Sequence, residues 1–204
     1  VAFVQMLAVA ALGVGLAWRE SSDILSSIGL IGAVAAPLLV GGDFSVAGAE
    51  VAHQVAVLAL AAGLFVVRQW WITLAVTVAG SGLVLANQAF ASDANAILLV
   101  GIVVWWLVGW ALPVFGPKPE LWADSGEITS VLTIPVPAVA WAMTWLVVGD
   151  RPSVTATAAL ILAVAHGAVW RLNHERADSV IHLLAGVAFS AVALLSWFDA
   201  EVAV

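Results

Sequence analysis

The sequence predicts an all-α polytopic membrane protein: a bundle of about eight transmembrane helices arranged as sequential hairpins. Three observations point there. Hydrophobic residues make up 64 % of the 204 and charged residues only 9 %, with a mean hydropathy of +1.12, whereas a soluble domain carries roughly a quarter charged residues. The apolar stretches are apolar on every face, unlike the alternating strands of a membrane β-barrel. A helix, by contrast, satisfies its own backbone hydrogen bonds in lipid. Finally, polar punctuation cuts the chain into eight stretches of about 17–21 residues, which at ~1.5 Å per residue cross a hydrocarbon core of roughly 30 Å.

The spans read from this punctuation are 1–18, 24–41, 51–67, 71–90, 96–115, 128–148, 153–170 and 179–197, together one transmembrane helical domain over residues 1–204. The first has no basic leader or cleavage site of a signal peptide and is read as a span. Arg19-Glu20-Ser21-Ser22-Asp23 closes the first hairpin and Gly41-Gly42-Asp43 ends the second span. Gly149-Asp150-Arg151-Pro152 separates the sixth from the seventh; turn formers and helix starters of this kind mark boundaries. The chain begins at Val1 and ends at Val204 within apolar sequence, so a fragment of a longer chain is expected.

Basic residues set the expected orientation. Arg19, Arg68, Lys118, Arg171 and Arg176 fall in the connections after spans one, three, five and seven, against Arg151 alone on the other side. The positive-inside rule then places the odd-to-even loops in the cytoplasm and both termini outside, with Asp43, Glu50 and Asp93 on the outer side. Trp18, Trp70, Trp71 and Trp170 abut Arg19, Arg68 and Arg171, where an amphipathic indole sits best. Trp18, Trp70, Trp122 and Trp170 also recur about every 50 residues, a spacing that repeated hairpins or simple interfacial alternation both produce.

Composition excludes several functions. The protein has no cysteine, hence no disulfide framework or thiolate metal site. Six basic residues against a net charge of −7 offer no nucleic-acid surface. No cofactor is expected. The expected partners are the lipid bilayer and the remaining transmembrane helices of a parent protein.

Two segments carry a family resemblance. Ile28-Gly29-Leu30-Ile31-Gly32-Ala33-Val34-Ala35-Ala36-Pro37-Leu38-Leu39-Val40, followed by a short polar loop, a long Ala/Leu helix and Arg68-Gln69-Trp70-Trp71, resembles the bacterial DUF2339 family of membrane proteins. Ile181-His182-Leu183-Leu184-Ala185-Gly186-Val187-Ala188-Phe189 resembles that family's His-Leu-Leu-x-Ala-x-Ala-Phe segment. The resemblance implies an inner-membrane, multi-pass protein with more helices after Val204, and it brings no catalytic residues.

Candidate sites follow from chemistry that is unusual in lipid. Gly29 with Ala33, and Gly32 with Ala36, form small-xxx-small pairs suited to close helix packing, and Pro37 frees a carbonyl near the outer end of the second span. Pro135 and Pro137, read as lying near the middle of the sixth span, break its ladder. With Thr133 they form a candidate ligand site of the kind transporters build on broken helices. No Asp, Glu, Lys or Arg is expected well inside a span. The buried polar residues Gln5, His53, Gln54, Asn87, Gln88 and His166 are expected to bond between helices. His166, His174 and His182 fall at similar depth in the last hairpin, near Glu175 and Asp178, as a candidate metal or proton-relay group. Ser81, in Ala79-Gly80-Ser81-Gly82, with His166 would be the pair of an intramembrane serine hydrolase.

The favoured expectation is a structural or scaffolding membrane domain without enzymatic activity. A transporter or lipid-handling domain is the alternative, and an intramembrane hydrolase the remote one.

Overall fold

The computed structural model describes residues 2–40, 47–91, 96–116, 132–149, 151–173 and 179–202. They form eight helices and no strand. In chain order these are α1 (Ala2–Glu20), α2 (Asp23–Val40), α3 (Ala47–Arg68), α4 (Trp71–Ala91), α5 (Ala96–Phe115), α6 (Pro135–Val148), α7 (Pro152–Leu172) and α8 (Ser179–Val202). Among the described residues, five segments are long and apolar enough to cross a membrane: Gly48–Arg68, Trp71–Phe90, Ala96–Phe115, Pro152–Leu172 and Ser179–Phe198. Asp23–Pro37 and Pro135–Val148 are shorter apolar helices.

Local chemistry sets the first boundaries. The N–H of Ser22 donates to Ala17 O at 2.9 Å and that of Ser21 to Trp18 O at 3.3 Å. With Ser21 at φ 51, this is the left-handed C-terminal motif that closes a helix on its last carbonyls. α3 stops in the same way, with Gln69 at φ 57 and its N–H on Phe65 O at 2.8 Å. Both helices therefore reverse within two residues into α2 and α4. In α5 a π-helical turn, Leu107–Ala111, ends two residues before Pro113, whose missing N–H and bulky ring disturb the turn before it.

The contacts divide the chain into two compact units, 1–119 and 120–204. In the first, α2 packs on α1, α3 and α4, and α5 on α3 and α4. Its core includes Ala10, Val14, Ala17, Leu30, Ala33, Val34, Val57, Ala61, Leu64, Trp70 and Val84. The α1–α2 crossing is set by backbone: a Cβ on Gly29 would lie 3.7 Å from Gly13 Cα. Ala33 and Ala36 are buried, but Gly32, expected to pack, is exposed with open space around it. The register of α2 turns one small-residue pair inward through both members and splits the other.

Three consecutive residues of α4 contact three different helices, because successive positions on a helix point about 100° apart. A Cβ on Gly80 would come within 2.8 Å of Val34 Cγ1 on α2. Ser81 bonds to Gln54 on α3. A Cβ on Gly82 would meet Trp105 of α5 at 2.7 Å, where the indole Nε1–H donates to Val78 O at 2.7 Å.

In the second unit α7 runs along α8, and α6 packs on α7. A groove of about 310 Å³ between α7 and α8 is lined by Ala156, Thr157, Leu160, Ala193, Leu194 and Trp197, among others. Its hydroxyls are already used within their helices, Thr157 Oγ1 on Ser153 O and Ser190 Oγ on Gly186 O.

Two glycines give opposite expected outcomes in thermal unfolding of the detergent-solubilised protein. Gly82→Ala displaces the Trp105 indole from Val78 O and lowers the melting temperature, at a cost of about 1–3 kcal/mol. Gly32→Ala touches nothing and raises it slightly, by roughly 0.5–1 kcal/mol of helix propensity.

Candidate functional site

The polar chemistry of the first unit begins with Pro37. Proline has no N–H, so the carbonyl four residues back, Ala33 O, loses its helical partner. His53 of α3 supplies one, with Nε2 2.8 Å from Ala33 O. Because the carbonyl can only accept, the ring is the Nε2–H tautomer. The adjacent Gln54 donates from Nε2 to Val34 O at 3.2 Å and accepts at Oε1 from Ser81 Oγ at 3.0 Å. His53, Gln54 and Ser81 are all buried. The donor that answers Pro37 and the adjacent Gln54 together form a polar chain running from α2 through α3 to α4. Donors from a neighbouring helix are the usual remedy for a helix broken in lipid.

A second group lies at the α1–α2 and α3–α4 turns. Ser22 Oγ accepts from Leu25 N–H at 3.3 Å and caps α2. That leaves the Asp23 carboxylate to reach across to α4, accepting from the N–H groups of Ile72 (3.0 Å) and Thr73 (2.9 Å). The residue preceding α4 is Trp70, whose indole has no acceptor. α4 therefore takes from α2 the N-terminal cap it cannot provide itself, and the anion sits at the positive end of both helices. Thr73 Oγ1 also donates to Asp23, and Ser27 Oγ donates to Asp23 O at 2.8 Å. Beside them the Arg68 guanidinium lies 3.9 Å over the Trp18 ring, and Trp18 meets Trp70 edge-on at 6.4 Å. Such a pair adds attraction between cation and ring face.

Several expectations change. α3 begins at Ala47, four residues before the expected start, so Glu50 lies in its first turn and is buried. Gln5 and Asn87 are exposed, whereas Gln88 is buried. Pro135 and Pro137 stand at an interruption: Leu132 and Thr133 are helical, Ile134 is a turn, and α6 begins at Pro135. Both prolines therefore occupy the first turn, where N–H groups have no intrahelical partner to lose. Thr133 precedes this start and is buried. Residues 128–131, His174, Glu175, Asp178, Asp43, Asp93, Lys118 and Trp122 lie outside the described residues.

In the second unit, His166 of α7 and His182 of α8 come together, Nδ1 to Nδ1 at 3.0 Å. Both are buried. Phe189 stacks on His166 at 5.9 Å, and a Cβ on Gly186 would lie 3.4 Å from Ala163 O, so α7 and α8 approach closely beside the pair. Among the described residues no three His, Asp or Glu side chains gather as a metal site would require.

The sequence matches the family described as predicted membrane protein, DUF2339, over residues 1–203. The chain belongs to the DUF2339 family. No curated protein and no solved structure matches it. Both segments that resembled the family take part in contacts of this DUF2339 chain: the Gly29–Pro37 stretch offers the carbonyls held by His53 and Gln54, and His182 lies in the second segment.

Sequence reading missed Asp23 and Trp105. Asp23 reads as turn punctuation, although Trp at position 70, directly before α4, was a signal that this helix lacked a cap of its own. Trp105 reads as a lipid- or protein-facing ring, and nothing in the sequence pairs it with Val78.

The link between Pro37 and His53 is testable by a double-mutant cycle on unfolding. His53→Phe leaves Ala33 O without its donor and destabilises by about 1–3 kcal/mol. Pro37→Ala restores the helical N–H, so His53→Phe costs clearly less in that background. Additive effects would show that the two residues act independently.

Proposed function

We propose that this DUF2339 chain is a scaffolding domain of the bacterial inner membrane, assembling with further transmembrane helices of a larger envelope protein. The observation that supports this reading is where the polar side chains of the first unit are directed. Asp23, His53, Gln54, Thr73 and Ser81 bond one helix to another. Ser81 is a case in point, because its proton goes to an amide oxygen, which cannot act as the base a serine nucleophile needs. The transporter alternative drew on a sixth helix broken at mid-span. What bears on it is the turn at Ile134, between the helical residues Leu132 and Thr133 and the start of α6 at Pro135.

Five of six basic residues favour an orientation with the α1–α2, α3–α4, α5–α6 and α7–α8 connections in the cytoplasm. Because the protein has no native cysteine, single cysteines introduced at Ser21 and Arg151 report this directly. The cysteine at position 21 is expected to react with a membrane-impermeant maleimide only after the cells are opened, and the one at 151 in intact cells. Labelling of both under the same condition contradicts the orientation.

The scaffolding role is tested by complementation of a deletion strain. Variants Gln54→Leu, Ser81→Ala and Thr133→Val are expected to complement in proportion to their abundance and melting temperature. A variant that keeps wild-type abundance and stability yet fails to complement points instead to a transport or catalytic role.

A further inference from the structure

The turn end of the first unit carries a cation that the acidic groups around it leave unneutralised. Asp23 bonds α2 to the start of α4, so the α1–α2 and α3–α4 turns lie side by side and the last residues of α1 and α3 meet there. Arg68, in the last turn of α3, sets its guanidinium 3.9 Å over the Trp18 ring of α1, and Trp70 stands edge-on to Trp18 at 6.4 Å. Arg68 is exposed and Trp18 is 41 % exposed, so the stacked pair is open on its outer side. Two acidic residues belong to this end. Glu20 pairs with Arg19 at 4.0 Å, and Asp23 directs its carboxylate to the N–H groups of Ile72 and Thr73 and to the Thr73 hydroxyl. Among the described residues the guanidinium of Arg68 makes no ion pair or hydrogen bond, and the Trp18 ring is its contact.

We propose that Arg68, held on Trp18, binds the phosphate of an anionic membrane phospholipid. A guanidinium offers five N–H donors in a planar fork that matches two phosphate oxygens, and a ring in contact with the cation is not an acceptor that satisfies them. The ring also steadies a long side chain, so less rotamer freedom is lost when a phosphate docks. Trp18 and Trp70 suit the same depth, because indoles settle at the headgroup level of a bilayer. Leu12 and Leu16 of α1 and Val67 of α3 are exposed and give acyl chains an apolar surface on the two helices that carry the pair. An anionic headgroup fits better than a zwitterionic one, whose own ammonium competes with Arg68 for the phosphate. The protein's net charge of −7 opposes any general attraction of anionic lipid, so a preference for such a lipid has to arise locally.

The test is equilibrium binding of radiolabelled phosphatidylglycerol to the whole chain in neutral detergent. Arg68→Gln is expected to weaken binding about tenfold. Arg19→Gln, which removes the same charge from the neighbouring turn, is expected to weaken it less than about twofold. Equal weakening by the two variants, or none by either, overturns the site by reducing the effect to overall charge. Unlabelled phosphatidylcholine that competes as well as unlabelled phosphatidylglycerol overturns the preference for an anionic lipid. Millimolar inorganic phosphate is expected to leave the lipid bound, and displacement overturns the lipid as occupant in favour of free phosphate. Should Arg68→Gln not fold, Arg68→Lys keeps the charge at the end of α3 and loses the planar fork; binding about threefold weaker is expected, and unchanged binding overturns the proposal.

Discussion

A carbonyl oxygen released inside a bilayer has no water to turn to, and in the first unit the consequences of one such release reach three helices. Pro37 withdraws the N–H that Ala33 O would receive. His53 restores a donor from α3, and doing so fixes the rotation and height of α3 against α2. With α3 in that register, Gln54 falls beside Val34 O and within reach of Ser81. A proline that looks like a defect in one helix thus sets the relative placement of its neighbours. The polar groups involved are worth only about 0.6–2 kcal/mol each in lipid, but their directionality supplies a specificity that apolar packing alone lacks.

α4 converts that placement into a bundle. Gly80 gives its surface to Val34, Ser81 its hydroxyl to Gln54, and Gly82 its missing side chain to Trp105. Three neighbouring residues serve three partners because a helix distributes consecutive side chains around its axis. The same helix depends on α2 at its N-terminus, where Asp23 caps Ile72 and Thr73. α2 and α4 are therefore tied at the turn end by a carboxylate and farther along by tight packing, two contacts of different physical kinds. The second unit is built otherwise, with α7 and α8 in close apposition around a histidine pair and α6 starting on prolines that suit a first turn.

What could be read from residues alone depended on whether the signal was local. Helix number and approximate limits were legible, because a run of apolar residues closed by Arg-Glu-Ser-Ser-Asp or Gly-Asp-Arg-Pro carries its own boundary. The freed carbonyl at Pro37 was legible for the same reason, being a property of one residue and its own helix. Its partner was not: His53 and Gln54 read as buried polar residues in search of bonds, and only the rotation of α3 assigns their acceptors. Gly32 illustrates the opposite failure. Its spacing from Ala36 equals that of Gly29 from Ala33, yet one face of α2 meets a neighbour and the other does not.

The sequence by itself determined that this DUF2339 chain is helical and belongs to a membrane. Scarcity of charge leaves no way to coat a soluble surface, and lipid leaves each backbone segment to satisfy itself. Tertiary structure alone decided that Asp23 caps a helix other than its own, that Ser81 answers to Gln54, and that His166 meets His182. Each depends on the rotation, depth or starting point of a helix. Those quantities come from packing between segments distant in sequence, for which a single chain of letters carries no coordinate.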